Sequence, residues 1–260
     1  MGAERHFSSS ILLWVRDDQS RQTGMDYWKG PHSSIIAATK GLLEYRQIHL
    51  AAVNPGRWPA IDGVETEIPP DRRIDGVAEV TFRSAVSPVL GRTQTKLAYQ
   101  DEVNVFRRTL LYAGPPGSSR WYDVAPAGGG ASGARAMIYL RRRPGVPGRA
   151  FRRFFKRDFI PALAATGPLT ELRTQTFLPW SKKLWDTPDV AHDNPAGQHL
   201  HASVSLGFPD EAARSTFFSA PAVADLTAGL AAHVSAVHAY DVDAALTFVR
   251  DGRILPHYEA

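Results

Sequence analysis

The sequence predicts an α+β chain: two tandem βαββαβ units whose sheets close on one another within one molecule. Three observations carry this. A single ungapped offset of 127 residues pairs Ile11 with Ile138, Leu13 with Leu140, Arg16 with Arg143 and Lys29 with Lys156. The same offset then pairs Ala37, Ala38, Thr39, Leu42, Glu44 and Arg46 with Ala164, Ala165, Thr166, Leu169, Glu171 and Arg173. Each half shows the same order of strand-like and helical stretches, and between the halves "APAGGGASGA", residues 125–134, has the composition of a flexible linker. The expected organisation is a first unit over 8–124, the linker, and a second unit over 135–252.

The elements follow in order. "SILLWVR" (10–16) is a strand-like run, residues 25–38 carry helical spacing, and "LEYRQIHL" (43–50) alternates as a strand does. The stretch 51–73, rich in proline and glycine, reads as a long loop. "DGVAEVTF" (75–82) is a third strand, 84–99 a weaker helix interrupted by Pro88 and Gly91, and "NVFRRTLLYA" (104–113) a fourth strand. The second half repeats this with "AMIYLRRR", a helix over 149–165, "TELRTQTFL", a loop from Pro179 to Gln198, "LHASVSLGF", helices within 210–232, and "AALTFVR". One βαββαβ unit leaves a sheet face bare, and two in one chain cover each other's.

Composition narrows the function classes. The chain has 260 residues, 43% of them apolar, and a formal charge of +4, too mild to argue for nucleic acid despite a pI near 9.4. Basic runs such as "FRRFFKR" read as solvated faces. The absence of cysteine rules out disulfides and thiolate chemistry. The early apolar run "ILLWV" is too short for a membrane span or a signal-peptide core, so no membrane partner is expected and the cytoplasm is the default location. "HLH" (199–201), with His192 or Asp193 nearby, has metal-ligand spacing but no fixed third ligand, so no metal is expected.

On a helix, Trp28, His32, Ile35 and Ile36 form an apolar stripe facing the sheet, and in the second half the same stripe reads Phe155, Phe159, Ala162 and Leu163. Phenylalanine thus stands where His32 stands, and Thr176 stands where His49 does. Alternation puts Tyr45, Gln47 and His49 on one face of the second strand, and Val77, Glu79 and Thr81 on one face of the third. An inward carboxylate at Glu79 asks for a partner, either a histidine or an arginine such as Arg46 or Arg107. Tyr27, Trp28, Tyr45, Trp58 and Tyr99 supply an aromatic wall for a planar ligand. The adjacent Asp101 and Glu102 read as a solvent-exposed pair at the head of the fourth strand.

The stretches "MDYWKGPHSSIIAATKGLLEYRQIH", "DGVAEVTF" and "YQDEVNVF" resemble an EthD-type domain of the ferredoxin-like, dimeric α/β-barrel superfamily, here as a tandem pair forming the barrel within one chain. One departure stands out: Gly30 and Pro31 precede the histidine, whereas Gly-Pro follows it in that family. The superfamily's polyketide cyclases, dehydratases, decarboxylases and cofactor-free monooxygenases imply an apolar pocket between helix and sheet that works by acid/base groups without a cofactor. The resulting expectation is a lyase, dehydratase or cyclase acting on a hydrophobic aromatic or polyketide-like carbonyl compound. His32 is then the base, with His49 or Glu79 as acid or orienter. The alternatives are a cofactor-free monooxygenase of a phenolic substrate and a non-catalytic binding protein. The pocket is expected in the first unit, with the loop bearing Trp180 and Trp185 at its edge, and homodimerisation is left open.

Overall fold

The computed structural model describes residues 2–124 and 132–259; most of the expected linker, 125–134, lies outside them. The first unit runs β1 (Ala3–Val15), α1 (Arg21–Tyr27), a π-helical turn (Trp28–His32), α2 (Ser33–Ala37), β2 (Leu42–Leu50), β3 (Gly76–Phe82), α3 (Ser87–Leu90), α4 (Arg92–Glu102) and β4 (Phe106–Ala113), followed by the short β5 (Ser119–Tyr122). The second runs β6 (Ala134–Arg142), α5 (Gly148–Phe154), a π-helical turn (Phe155–Phe159), α6 (Ile160–Thr166), β7 (Glu171–Thr176), β8 (Ala202–Phe208), α7 (Glu211–Ser219), α8 (Pro221–Ala224), α9 (Thr227–His233) and β9 (Val234–Arg250), with β10 (Arg253–Glu259) after it. Both units are therefore βαββαβ. The two π turns lie 127 residues apart, the offset at which the sequences match.

The strands close into a ring, β9-β2-β3-β1-β5-β7-β8-β6 and back to β9, with β4 alongside β1. All its pairings are antiparallel. Two strands make the closure. β9 pairs its first part with β6 (Ile138↔Ala239) and its second with β2 (Gln47↔Leu246), so it is far longer than the "AALTFVR" segment alone. β5, absent from the sequence pattern, pairs β1 on one side and β7 on the other. The units thus join edge to edge as well as face to face.

Alternation sorts side chains into three cores. Ile48, Leu50, Val77, Tyr139 and Tyr240 fill the barrel interior, while Trp28, Tyr45, Ala78 and Val80 pack between the first unit's helices and its sheet. Phe154, Phe155, Phe159 and Leu163 do the same in the second unit. The interior also holds charge. Arg46 donates to Glu171 at 2.9 Å, and Arg173 pairs with Glu44 and Glu171. Burial pushes the Glu171 carboxyl up, but Arg46, Arg173 and Arg135 outweigh it and hold it well below the usual carboxylate range.

The two long loops exchange places. Residues 51–75 of the first unit reach across to the second: Glu65 bridges to Ala236, and Arg57 pairs with Asp241. The second unit's loop, 177–201, returns the contact on the first unit. Trp58 and Trp185, again 127 apart, each end up against the other unit's helices.

Candidate functional site

Pro31 falls inside the π turn Trp28–His32 and has no N–H to give to the carbonyl four residues back. The second unit makes the same turn with Asp158 at the matching position, so the turn does not depend on the proline. The extra residue moves the buried face on by one: Trp28, His32, Ser33 and Ala37 are buried, whereas Ile35, expected on the stripe, is only half-buried. The indole of Trp28 packs against β3, where a Cβ at Gly76 would stand 2.3 Å from it, so the glycine is required for this approach.

Between these helices and the sheet lies a cavity of about 820 Å³. Ile11, Leu13, Leu42, Ala78, Val80 and Phe82 make its walls apolar. Of the residues singled out in the sequence, His32, Trp28, Tyr45 and Tyr99 line it. The His32 ring donates from Nδ1 to Asp101 Oδ2 at 2.8 Å and stands edge-on to Phe106. Tyr27 does not reach the cavity; its hydroxyl donates to the other oxygen of Asp101 at 2.8 Å, and Asn104 donates to that oxygen at 3.2 Å. The hydrogen bond from His32, with those from Tyr27 and Asn104, holds the Asp101 carboxyl below its ordinary range against the pull of burial. With Nδ1 committed as donor, Nε2 is the nitrogen available to the cavity.

Three expected residues stand elsewhere. His49 is packed behind Trp28, rings 4.7 Å apart, and donates from Nε2 to Gln47 Oε1 at 3.0 Å. Burial, with Lys29 and Arg21 nearby, pushes its pKa down to about 4. Glu79 sits on the other face of the sheet, inside the barrel and opposite Arg46, so it cannot orient His32. Burial raises its carboxyl against the attraction of Arg46 and Arg173. Trp58 is in the second unit, 5.6 Å from Phe159 and 6.0 Å from Phe218, where it fills the space corresponding to the first unit's cavity.

Two residues that the sequence pattern placed in solvent belong to the site instead. α4 continues to Glu102, three residues past its expected end, and turns both carboxyls inward. Asp101 thereby takes the partnership with His32 that Glu79 or His49 was expected to hold. Glu102 is 2% exposed, lines the cavity, and accepts from Thr187 Oγ1 at 2.6 Å and Trp185 Nε1 at 3.0 Å. Burial pushes its pKa up to about 7, despite those donors. The available signal was the spacing of Ala98 and Glu102, one turn apart on the helix's buried face. Trp185 and Leu184 close one side of the cavity, and Trp185 meets Tyr99 edge-on at 4.9 Å.

Among the described residues no group of three or more histidine or acidic side chains is arranged to hold a metal ion. The histidines of the metal-like spacing have other partners: His199 donates to the Asn194 carbonyl and His201 accepts from the Arg142 N–H. No helix among the described residues is long and apolar enough to cross a membrane.

No protein-family model matches the sequence, and no curated protein matches it at a significant level. Solved structures do match in fold. A candidate monooxygenase from Lactobacillus acidophilus NCFM superposes with a TM-score of 0.53 at 11% identity, covering 97% of this chain and 100% of the other. An anthrone oxidase-like protein gives 0.54 at 8% identity, with 94% of each chain covered. A candidate monooxygenase from Fusobacterium nucleatum subsp. nucleatum ATCC 25586 gives 0.52 at 6% identity over 92% of this chain and 91% of the other. At such identities the likeness establishes the fold alone. That fold is the ferredoxin-like α/β barrel of the dimeric type, completed here by a single chain.

Proposed function

We propose that the chain is a cofactor-independent acid/base enzyme that takes a proton from a hydrophobic aromatic or polyketide-like carbonyl compound bound in the first unit's cavity. The observation that carries this reading is the buried Asp101–His32 pair opening onto an apolar, aromatic-walled space of about 820 Å³. Asp101 fixes the tautomer and stabilises the imidazolium formed when Nε2 accepts a proton; Tyr27 and Asn104 hold Asp101 in place. A volume of this size suits a molecule of two or three fused rings. Tyr99 offers it an open aromatic surface, with the buried Trp28 and Tyr45 in the wall behind. The resemblance to EthD-type domains supports the reading, with residues 8–124 as the working unit and 135–252 as a second copy that has lost the pocket.

A lyase, dehydratase or cyclase step needs only the carbanion so formed. A second reading carries that carbanion on to oxygen, and the names of the structural neighbours favour it. In it a ring CH₂ becomes C=O, one oxygen atom enters the product, the other leaves as water, and the substrate supplies the electrons.

The test uses anthrone, whose CH₂ beside two aromatic rings is acidic. Deuterium uptake at that carbon in D₂O without air reports proton removal, and oxygen consumption in air reports the second reading. His32→Phe, the residue the second unit carries at that position, should lower the exchange rate about a hundredfold to ten-thousandfold. A folded variant with undiminished exchange would remove His32 from the mechanism.

A further inference from the structure

We propose that Glu102 is the cavity's second proton-transfer group, giving its proton to the substrate's carbonyl oxygen while His32 Nε2 takes the proton from carbon. This rests on the reading of His32 as the base. Geometry supports it first. Both residues line the one cavity, and Glu102 is almost fully shielded from solvent. Glu102 is the last residue of α4, where the negative end of the helix dipole disfavours an anion. Its Oε2 takes the short bond from Thr187, and Oε1, which accepts from Trp185 at 3.0 Å, is left to carry the proton.

The second unit supplies an independent observation. The offset that takes His32 to Phe159 takes Glu102 to Gly229, where a Cβ would stand 2.6 Å from the Phe154 ring. The unit without the histidine therefore lacks the carboxyl and has no room for it. The first unit has both groups and the second has neither.

The neighbours pull both ways. Asp101 precedes Glu102 on its own helix, and its negative charge favours the protonated form; the donors Thr187, Trp185 and Thr109 favour the anion, and burial outweighs those donors. Tyr99, one turn earlier, lies near both Glu102 and Asp186 of the second unit's loop. Thr109 of β4 adds a hydroxyl, and His192 holds that hydroxyl and Thr187 from behind. His32 faces from the π turn, and Lys96 lines the same cavity from α4. The step balances without a co-reactant. The electron pair of the C–H bond becomes the new C=C bond, that of the C=O bond takes the proton from Glu102, and His32 keeps the carbon's proton until the enol reacts on.

The experiment follows anthrone exchange in D₂O with the full chain between pH 5 and 9, corrected for the uncatalysed rate, with anthrone binding read from tryptophan fluorescence. The wild-type rate should fall as pH rises through about 7, where Glu102 ionises. Glu102→Gln should lose at least about tenfold, show no such fall, and bind anthrone as before. Thr187→Val keeps the shape and removes a donor to the anion, so it should move the fall to higher pH. Glu102→Gln with the wild-type rate and profile, or a Thr187→Val profile that does not move, overturns the proposal. So does loss of binding in step with loss of exchange, which would make Glu102 a latch for the loop. A wild-type protein that binds anthrone without exchanging it overturns the His32 reading and this one with it, whereas exchange lost only in His32→Phe overturns the role of Glu102 alone.

Discussion

Trp58→Ala removes the side chain that fills the second unit's equivalent of the cavity. Trp58 is 4% exposed and wedged between Phe159 and Phe218, so the loss combines transfer of a large indole to water with a void between rigid rings. Truncations of this kind cost about 3–5 kcal/mol. For a chain of this size each kcal/mol moves the melting temperature by about 2–4 °C, so a fall of about 10 °C is expected. Trp185→Ala deletes the matching residue, but that indole is half-buried over a space already open, and its N–H is shared between the two oxygens of Glu102. Its cost should be less than half as large. Thermal melts followed by circular dichroism, with urea midpoints as a second measure, compare the two. Equal losses, or a Trp58→Ala variant melting within about 2 °C of wild type, would refute the claim that one tryptophan is a plug and the other a cover.

Acid titration should also separate two buried groups. His49 has its pKa lowered to about 4, so between 6.5 and 4 the unfolded chain takes up a proton that the folded one refuses, and stability drops as pH falls through that window. His49→Gln should flatten the melting temperature against pH there, removing up to about 3 kcal/mol of acid sensitivity. Glu102 works in the opposite sense: its raised pKa gives stability that is complete below 4.5 and is lost as pH rises through about 7, so Glu102→Gln should melt higher than wild type at pH 8. Arg46→Met leaves Glu171 buried with fewer partners, and urea denaturation at pH 7 should show a loss of about 3–5 kcal/mol.

Much of the fold was legible because periodicity reports which face an element buries. The offset of 127 residues predicted both units, and the stripe through Trp28 and His32 predicted the layer in which the cavity lies. Pro31 marked a disturbed helix, but its form, an inserted residue, shifts the stripe in a way that simple spacing does not show. Glu79 was placed correctly on its strand face, yet alternation does not say which face meets the helices. The Asp101 partnership escaped notice because it depends on where α4 stops, and helix ends are the least determined part of such a reading. Trp58 was assigned to the wrong unit for a different reason: a loop's destination depends on the tertiary arrangement, and nothing in its local composition records it.

The exchange of the two loops means that neither unit owns its own roof. In a symmetric pair of identical chains, any substitution closing one chamber would close its twin, and any acid or base would appear twice. Carrying both units on one polypeptide releases that constraint. Phe159 with Trp58 makes one chamber a solid buttress, while His32 with Trp185 keeps the other hollow. Each cover is rooted in the neighbouring unit, and the rim of the hollow chamber, with Leu184 and Trp185, comes from the stretch 177–201. The hollow chamber is thus roofed by a unit whose own chamber is filled.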